Sequence, residues 1–255
     1  MISLTEAQLV AWLSPILWPF LRVLAVFTTA PIFSSKAFPV RARIALAFFI
    51  AFAAQASLQG QPVISITGPD AIGAVIQQVG IGMAIGFTVR LVFAAVELGG
   101  EVVGFQMGLN FAAFFDPSLN TQSSAVARFF GHMTTFLFVV VNGHLMVMMA
   151  VIKSFEAFPV DQNFLEALKK MRLYDLGSDL FASGLWIALP MVGMLMFANL
   201  ALGIVSRVAP QMNIYSIGFP ITLAVGLIGI TATLPMLDQP FMALMERAID
   251  IFSPK

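Results

Sequence analysis

The sequence predicts an all-α protein of the membrane type, with about six long apolar helices, some kinked or re-entrant, arranged as helical hairpins. Three observations predict it. First, 27 residues separate Asp179 from Arg207 without a charge, and 30 more separate Arg207 from Asp238. About 18 such residues are enough to cross a hydrocarbon core of about 30 Å. Backbone in lipid must satisfy its own hydrogen bonds, which favours helix. Second, the chain is 59% hydrophobic and 10% charged, with a mean hydropathy of +0.93, whereas soluble domains carry roughly 25% charged residues. Third, the charges between segments do not fit six simple crossings. Orientation follows Lys and Arg in short loops. Yet Lys36, Arg41 and Arg43 follow segment one, while Lys153, Lys169, Lys170 and Arg172 follow segment four. Those loops would face opposite sides. Broken or re-entrant helices inside a larger assembly resolve the conflict.

Taken in order, the first segment runs from about Ala7 to Ala30 and carries Arg22. Thr5-Glu6-Ala7-Gln8 before it reads as a capping box. No basic leader precedes it, so the segment is expected to be retained. The second covers about Ile44 to Ser57 and is short for a span. The third opens after Gly68-Pro69-Asp70, a helix-start signal, and runs past Arg90 to about Gly108, too long for one straight crossing. The fourth covers Ala125 to Ile152, the fifth Leu180 to Ser206 and the sixth Ile214 to Leu234. From Asp238 to Phe252, apolar Phe241, Leu244, Met245, Ala248, Ile249 and Phe252 recur at helical spacing opposite Glu246, Arg247 and Asp250, an amphipathic pattern. The polar stretch from Lys153 to Asp179 contains Phe164, Leu165, Leu168 and Met171, which suggest a short amphipathic helix.

Net charge is zero and there are no cysteines. The first offers no basic field for nucleic acid, and the second excludes disulfides and thiolate chemistry. No metal-protease, Walker or nucleophile-elbow motif occurs, so no catalytic, cofactor or metal residue is assigned. His132 and His144 lie about 18 Å apart along one helix and cannot share a metal unless that helix breaks. Asn142-Gly143-His144 reads as a polar packing contact. Arg90, Glu97 and Glu101 fall on one helical face. They read either as an ion or proton pathway or as an ion pair or charges at the helix end near the interface. Gly100, Gly104 and Gly108 form one small-residue stripe and Gly82 and Gly86 another, each allowing close helix approach. The segment from Phe105 to Pro117 is rich in aromatics and ends in Asp116-Pro117. It reads either as a buried loop or as an apolar constriction in which Phe105, Met107, Phe111, Phe114 and Phe115 exclude water, with Gly108 and Pro117 as bends.

Several motifs together resemble the FliR family, the R subunit of the bacterial flagellar type III export gate. They are Arg22 with Pro31-Ile32-Phe33 and Phe38-Pro39-Val40-Arg41-Ala42-Arg43; Glu97-Leu98-Gly99-Gly100-Glu101 with Gln106-Met107-Gly108 and Asp116-Pro117; and Phe138 with Asn142-Gly143-His144, Ser154-Phe155 and Phe158-Pro159. Ala209-Pro210-Gln211-Met212-Asn213 and Gly218-Phe219-Pro220 complete the set. The resemblance covers nearly the whole chain. It implies a non-enzymatic, pore-forming export subunit in the bacterial inner membrane, within the flagellar basal body. It implies residues 1–175 resembling a P subunit and 176–255 resembling a Q-subunit hairpin, with a pore loop at about 105–121. It also implies partners of the FliP and FliQ families, an FlhB-family switch protein, an FlhA-family export protein, and unfolded secreted polypeptides, in contact with membrane lipid. By the same resemblance Arg207, Pro210, Gln211 and Asn213 would form a cytoplasmic partner loop. The rival reading is a secondary transporter of small solutes with Arg90, Glu97 and Glu101 as coupling charges.

Overall fold

The computed structural model describes residues 6–55, 68–109, 123–161, 164–211 and 213–254. Every regular element among them is a helix. The proposed cap at Thr5 lies outside the described residues, as do Phe111, Phe114, Phe115, Asp116 and Pro117.

Helix α1 spans Glu6–Thr29 and contains Pro15 and Pro19. Internal prolines are tolerated in apolar helices where neighbouring groups satisfy the freed backbone. Near its end the Thr28 and Thr29 hydroxyls both donate to the Ala25 carbonyl, at 2.7 and 3.0 Å. A turn leads into α2, Val40–Ala54, and α1 and α2 pack together. Ala47, Ala51 and Ala54 are buried, whereas Phe48, Phe49 and Phe52 are exposed. Small residues therefore face inward and large ones outward, the reverse of a soluble helix.

Helix α3 spans Asp70–Gln106, about 55 Å at 1.5 Å per residue. Asp70 sits in its first turn, where a carboxylate favours the helix dipole. Helix α4 spans Ala125–Val140. Ser124 caps it, accepting from the Ala127 N–H at 3.1 Å. Helix α5 spans Gly143–Ala157, and Asn142 before it is left-handed, at φ 56°. Asparagine takes this region more readily than most residues because its short polar side chain bonds locally.

The short α6, Phe164–Met171, buries Ala167 and Met171 and exposes Leu165. Helix α7, Asp175–Val208, has Asp175 in its first turn and Arg207 in its last, each sign matching its end of the dipole. Helix α8 is Ile214–Thr233. A 3-10 turn at Leu234–Met236 leads to α9, Asp238–Asp250. Phe241, Met245, Ala248 and Phe252 are buried there, so the amphipathic face follows the expected spacing.

The chain divides into two compact units. The first holds Met1–Leu91, Asn142–Gly177 and Met245–Lys255; the second holds Val92–Val141 and Ser178–Leu244. In the first, Val26, Phe27, Ala51, Ile81, Val151 and Phe155 are buried; in the second, Val96, Val103, Phe130, Phe138, Leu195 and Phe241 are. Within the second unit, the Phe93 ring meets Phe138 and Phe241 edge-on, with centroids 5.6 and 6.2 Å apart.

The count of spans sharpens the sequence expectation. Among the described residues four helical stretches are long and apolar enough to cross a membrane, or five if a bent pair counts as one span. The expected second segment has 15 residues as α2, short of a crossing. The expected fourth segment is two helices, broken at Val141–Asn142.

Candidate functional site

The candidate pore loop begins where α3 ends, and the second unit holds that end in place. Met107 is wholly buried. It lies on Gly226 of α8, where an added Cβ would stand 2.5 Å from Met107 Cγ and 2.6 Å from its sulfur. The Thr222 hydroxyl donates to the Met107 carbonyl at 3.3 Å, satisfying one of the acceptors that every helix C-terminus leaves open. Gly108 follows at φ 79°, a left-handed conformation that glycine takes without a Cβ penalty and that commonly ends helices. The Phe219 ring lies 3.5 Å from where a Gly108 side chain would begin. Phe105 stays exposed. The structure thus places Phe105, Met107 and Gly108 at a fixed elbow leading to residues outside the described set.

The glycines mark close approaches of backbone. In the first unit, a Cβ on Gly82 would collide with the Arg22 carbonyl, and one on Gly86 with the Thr29 hydroxyl. In the second unit, a Cβ on Gly100 would lie 2.9 Å from Ala127 Cα, and one on Gly104 2.8 Å from Ser124 Oγ. Sequence reasoning missed a reciprocal crossing of α3 and α7. There a Cβ on Gly99 would lie 2.9 Å from the Gly184 carbonyl, and one on Gly184 2.8 Å from the Ala95 carbonyl. Backbone meets backbone at that crossing, so neither side can yield.

Of the three charges on α3, Arg90 and Glu97 are exposed on the chain itself and Glu101 is half-buried. Glu101 accepts the Ser124 N–H at 3.0 Å. Glu97 lies over Gly131, its Oε1 2.7 Å from where a Cβ would stand. Glu101 therefore lies at the start of α4, where negative charge is favoured, and Glu97 lies further along the same helix. Arg207 sits in the last turn of α7, with Pro210, Gln211 and Asn213 exposed in the connection to α8. His132 is exposed and His144 half-buried, and among the described residues no group of three or more metal-capable side chains gathers.

A second constellation was only half legible. Arg22 is fully buried in the first unit. Its Nε donates to Gln78 Oε1 at 2.8 Å, one terminal nitrogen to Ser154 Oγ at 2.9 Å, and the other to the Phe158 carbonyl at 2.9 Å. The guanidinium also lies over the Phe155 ring, 3.6 Å from its centroid. Gln78 donates to Gln77 Oε1 at 2.9 Å, which also accepts the Asp161 N–H at 2.7 Å. One side chain thus ties α1 to α3, to α5 and to the segment after α5. The fixed planar fork of arginine suits such a three-way tie. The adjacent Gln77-Gln78, polar in an otherwise apolar run, was the available signal.

Residues 13–248 match the family model described as bacterial export proteins, family 1. The chain is 40% identical to the flagellar biosynthetic protein FliR of Escherichia coli K12, across 99% of this chain and 98% of that protein. It is 36% identical to FliR of Pectobacterium carotovorum, across 99% and 97%, and 30% identical to FliR of Bacillus subtilis, across 82% of each. With the elbow, the glycine crossings and the arginine tie all inside the matched region, this chain belongs to family 1 of the bacterial export proteins, the FliR family of flagellar biosynthesis.

Proposed function

We propose that this chain is a structural, pore-forming subunit of the flagellar type III export gate, passing unfolded flagellar proteins across the bacterial inner membrane. The observation that carries the reading is the surface of α7 and α8. Both are long, with 27 uncharged residues between Asp179 and Arg207 in α7 and no charge in α8, yet Leu185, Trp186, Phe197, Leu200, Leu227 and Ile228 are all exposed on the chain. Such a surface calls for lipid or partner helices to cover it, and the similarity to FliR proteins runs end to end. Residues 1–175 then act as the P-like part and 176–255 as the Q-like hairpin. FliP- and FliQ-family chains cover the apolar faces of α7 and α8, and the loop at about 105–121 plugs the closed pore. The exposed residues Arg207, Pro210, Gln211 and Asn213 meet an FlhB-family partner, and an FlhA-family protein completes the apparatus in the basal body.

A solute transporter is less well supported. Glu101 bonded to the Ser124 N–H is explained by the start of α4 without any coupling role.

The test is co-purification. The chain expressed with FliP- and FliQ-family subunits should leave the membrane as one assembly, and alone it should aggregate. A cysteine replacing Gln211 should crosslink to the FlhB-family protein inside that assembly. A monodisperse, well-folded monomer in detergent would count against the proposal.

A further inference from the structure

The turn from α1 to α2 has chemistry that the export reading does not use. From residue 7 to residue 69 there is no acidic side chain, while Arg22, Lys36, Arg41 and Arg43 are all present. Arg22 is buried in its own network. The other three flank one turn. Lys36 and Arg41 are exposed and Arg43 is half-buried. Arg43 Nη2 donates to the Ser35 carbonyl at 2.6 Å, while its Nε is buried without a partner, a donor that a bound acceptor would satisfy.

The turn itself is rigid. Phe33 stacks on Phe27 with centroids 4.6 Å apart and meets Phe38 edge-on at 6.2 Å. The Ser34 N–H bonds the Ala30 carbonyl at 3.0 Å and the Phe38 N–H the Ser35 carbonyl at 3.1 Å. Ile32 is held at φ 69°, a conformation that persists in a β-branched residue only where its surroundings over-determine it. The cations are thus presented from fixed backbone. No acidic residue lies in the first turn of α2 and no side chain caps it, so the helix dipole adds to the positive field there.

An apolar stripe continues from the same face. Positions 41, 44, 48 and 52 follow the i, i+3, i+7, i+11 spacing of one side of a helix. Ile44, Phe48 and Phe52 are exposed, while Ala47, Ala51 and Ala54 turn inward. From Ile44 to Phe52 the stripe is about 12 Å long, close to the roughly 15 Å half-thickness of a bilayer core. A cationic head above an apolar track matches the two ends of one molecule.

We infer that the α1–α2 turn and the outer face of α2 form a binding site for an anionic phospholipid. Lys36, Arg41 and Arg43 take the phosphate, and Ile44, Phe48 and Phe52 take an acyl chain. Charge complementarity selects the lipid, since no carboxylate in this part of the sequence opposes an anion. The site concerns lipid at the rim of the chain and does not depend on the pore reading.

Native mass spectrometry of the co-purified assembly, supplied with phosphatidylglycerol or with phosphatidylcholine of the same chains, tests it. Wild type should retain phosphatidylglycerol in preference. Lys36→Gln with Arg41→Gln should weaken that retention roughly tenfold or more, as expected for two cations near an anionic headgroup, and Arg247→Gln on α9 should not. If the double variant fails to assemble, Arg41→Lys against Arg41→Gln isolates the charge: the first should keep the lipid and the second lose it. Equal retention of the two lipids, or retention unchanged by removing the cations, overturns the site. Displacement of the lipid by millimolar inorganic phosphate overturns the lipid in favour of a free anion.

Discussion

Replacing Arg22 with leucine should remove the chain from the membrane fraction. The substitution takes away three buried hydrogen bonds at once, to Gln78, Ser154 and the Phe158 carbonyl, together with the stack on Phe155. The acceptors left behind stay buried, and an unsatisfied buried polar group costs about 1–3 kcal/mol. Hydrogen bonds to a charged group contribute about 1.5–3 kcal/mol each, so losing three together is a large part of the roughly 5–15 kcal/mol that holds an ordinary domain together. Arg22→Lys keeps the charge but offers no planar fork, so its loss should be intermediate. Arg22→Leu combined with Gln78→Leu should be milder than the sum of the two, because the second change removes an acceptor that the first orphaned. The measurements are the amount of full-length chain in membranes and the melting of the co-purified assembly. Wild-type amounts and melting for Arg22→Leu would show that the arginine tie does not hold the first unit together.

The second large effect is expected at the elbow. Gly226→Leu puts a side chain where Met107 already lies, starting from a Cβ only 2.5 Å from Met107 Cγ. Met107 is wholly buried, and its Cγ, close to the backbone, has to shift for the new side chain to fit. Overpacking of this kind costs about 1–3 kcal/mol. Because it strikes the root of the proposed plug, export and swimming should fall further than assembly does. Met107→Ala should restore part of both when added to Gly226→Leu, by returning the space. Soft-agar motility and the yield of co-purified assembly measure the two sides. Additive losses in the double variant, with no rescue, would place the damage elsewhere than at the Met107 contact.

Much of this fold was legible because lipid writes a strong pattern. The opening of α3 at Asp70, the span of α7 around its uncharged run, and the face of α9 with Phe241, Met245, Ala248 and Phe252 all follow from charge and spacing. The break at Asn142 did not. Val139-Val140-Val141 carries the apolar pattern straight through it, and only Asn142-Gly143 marks the turn. The Arg22 tie was half legible: an arginine inside an apolar helix asks for partners, but three acceptors drawn from residues 78, 154 and 158 are a fact of tertiary packing. The Met107 seat was illegible for the same reason. Gly218, Thr222 and Gly226 stand at four-residue spacing, but that Met107 is what seats on Gly226 appears only where α8 meets the end of α3.

In the proposed function, the loop following this elbow closes the pore. A secretion pore must admit an unfolded polypeptide yet stay tight to ions when idle, and a narrow apolar constriction does so by expelling water. In the proposed function Phe111, Phe114 and Phe115, which lie outside the described residues, would supply the bulk, and Met107 would supply a deformable thioether at the root. The direct measurement is ion permeability of cells carrying the full apparatus, in which Phe111, Phe114 and Phe115 are replaced together by alanine. A leak with the assembly still intact is the result this account predicts. A membrane as tight as wild type around an intact assembly, or loss of the assembly itself, would contradict it.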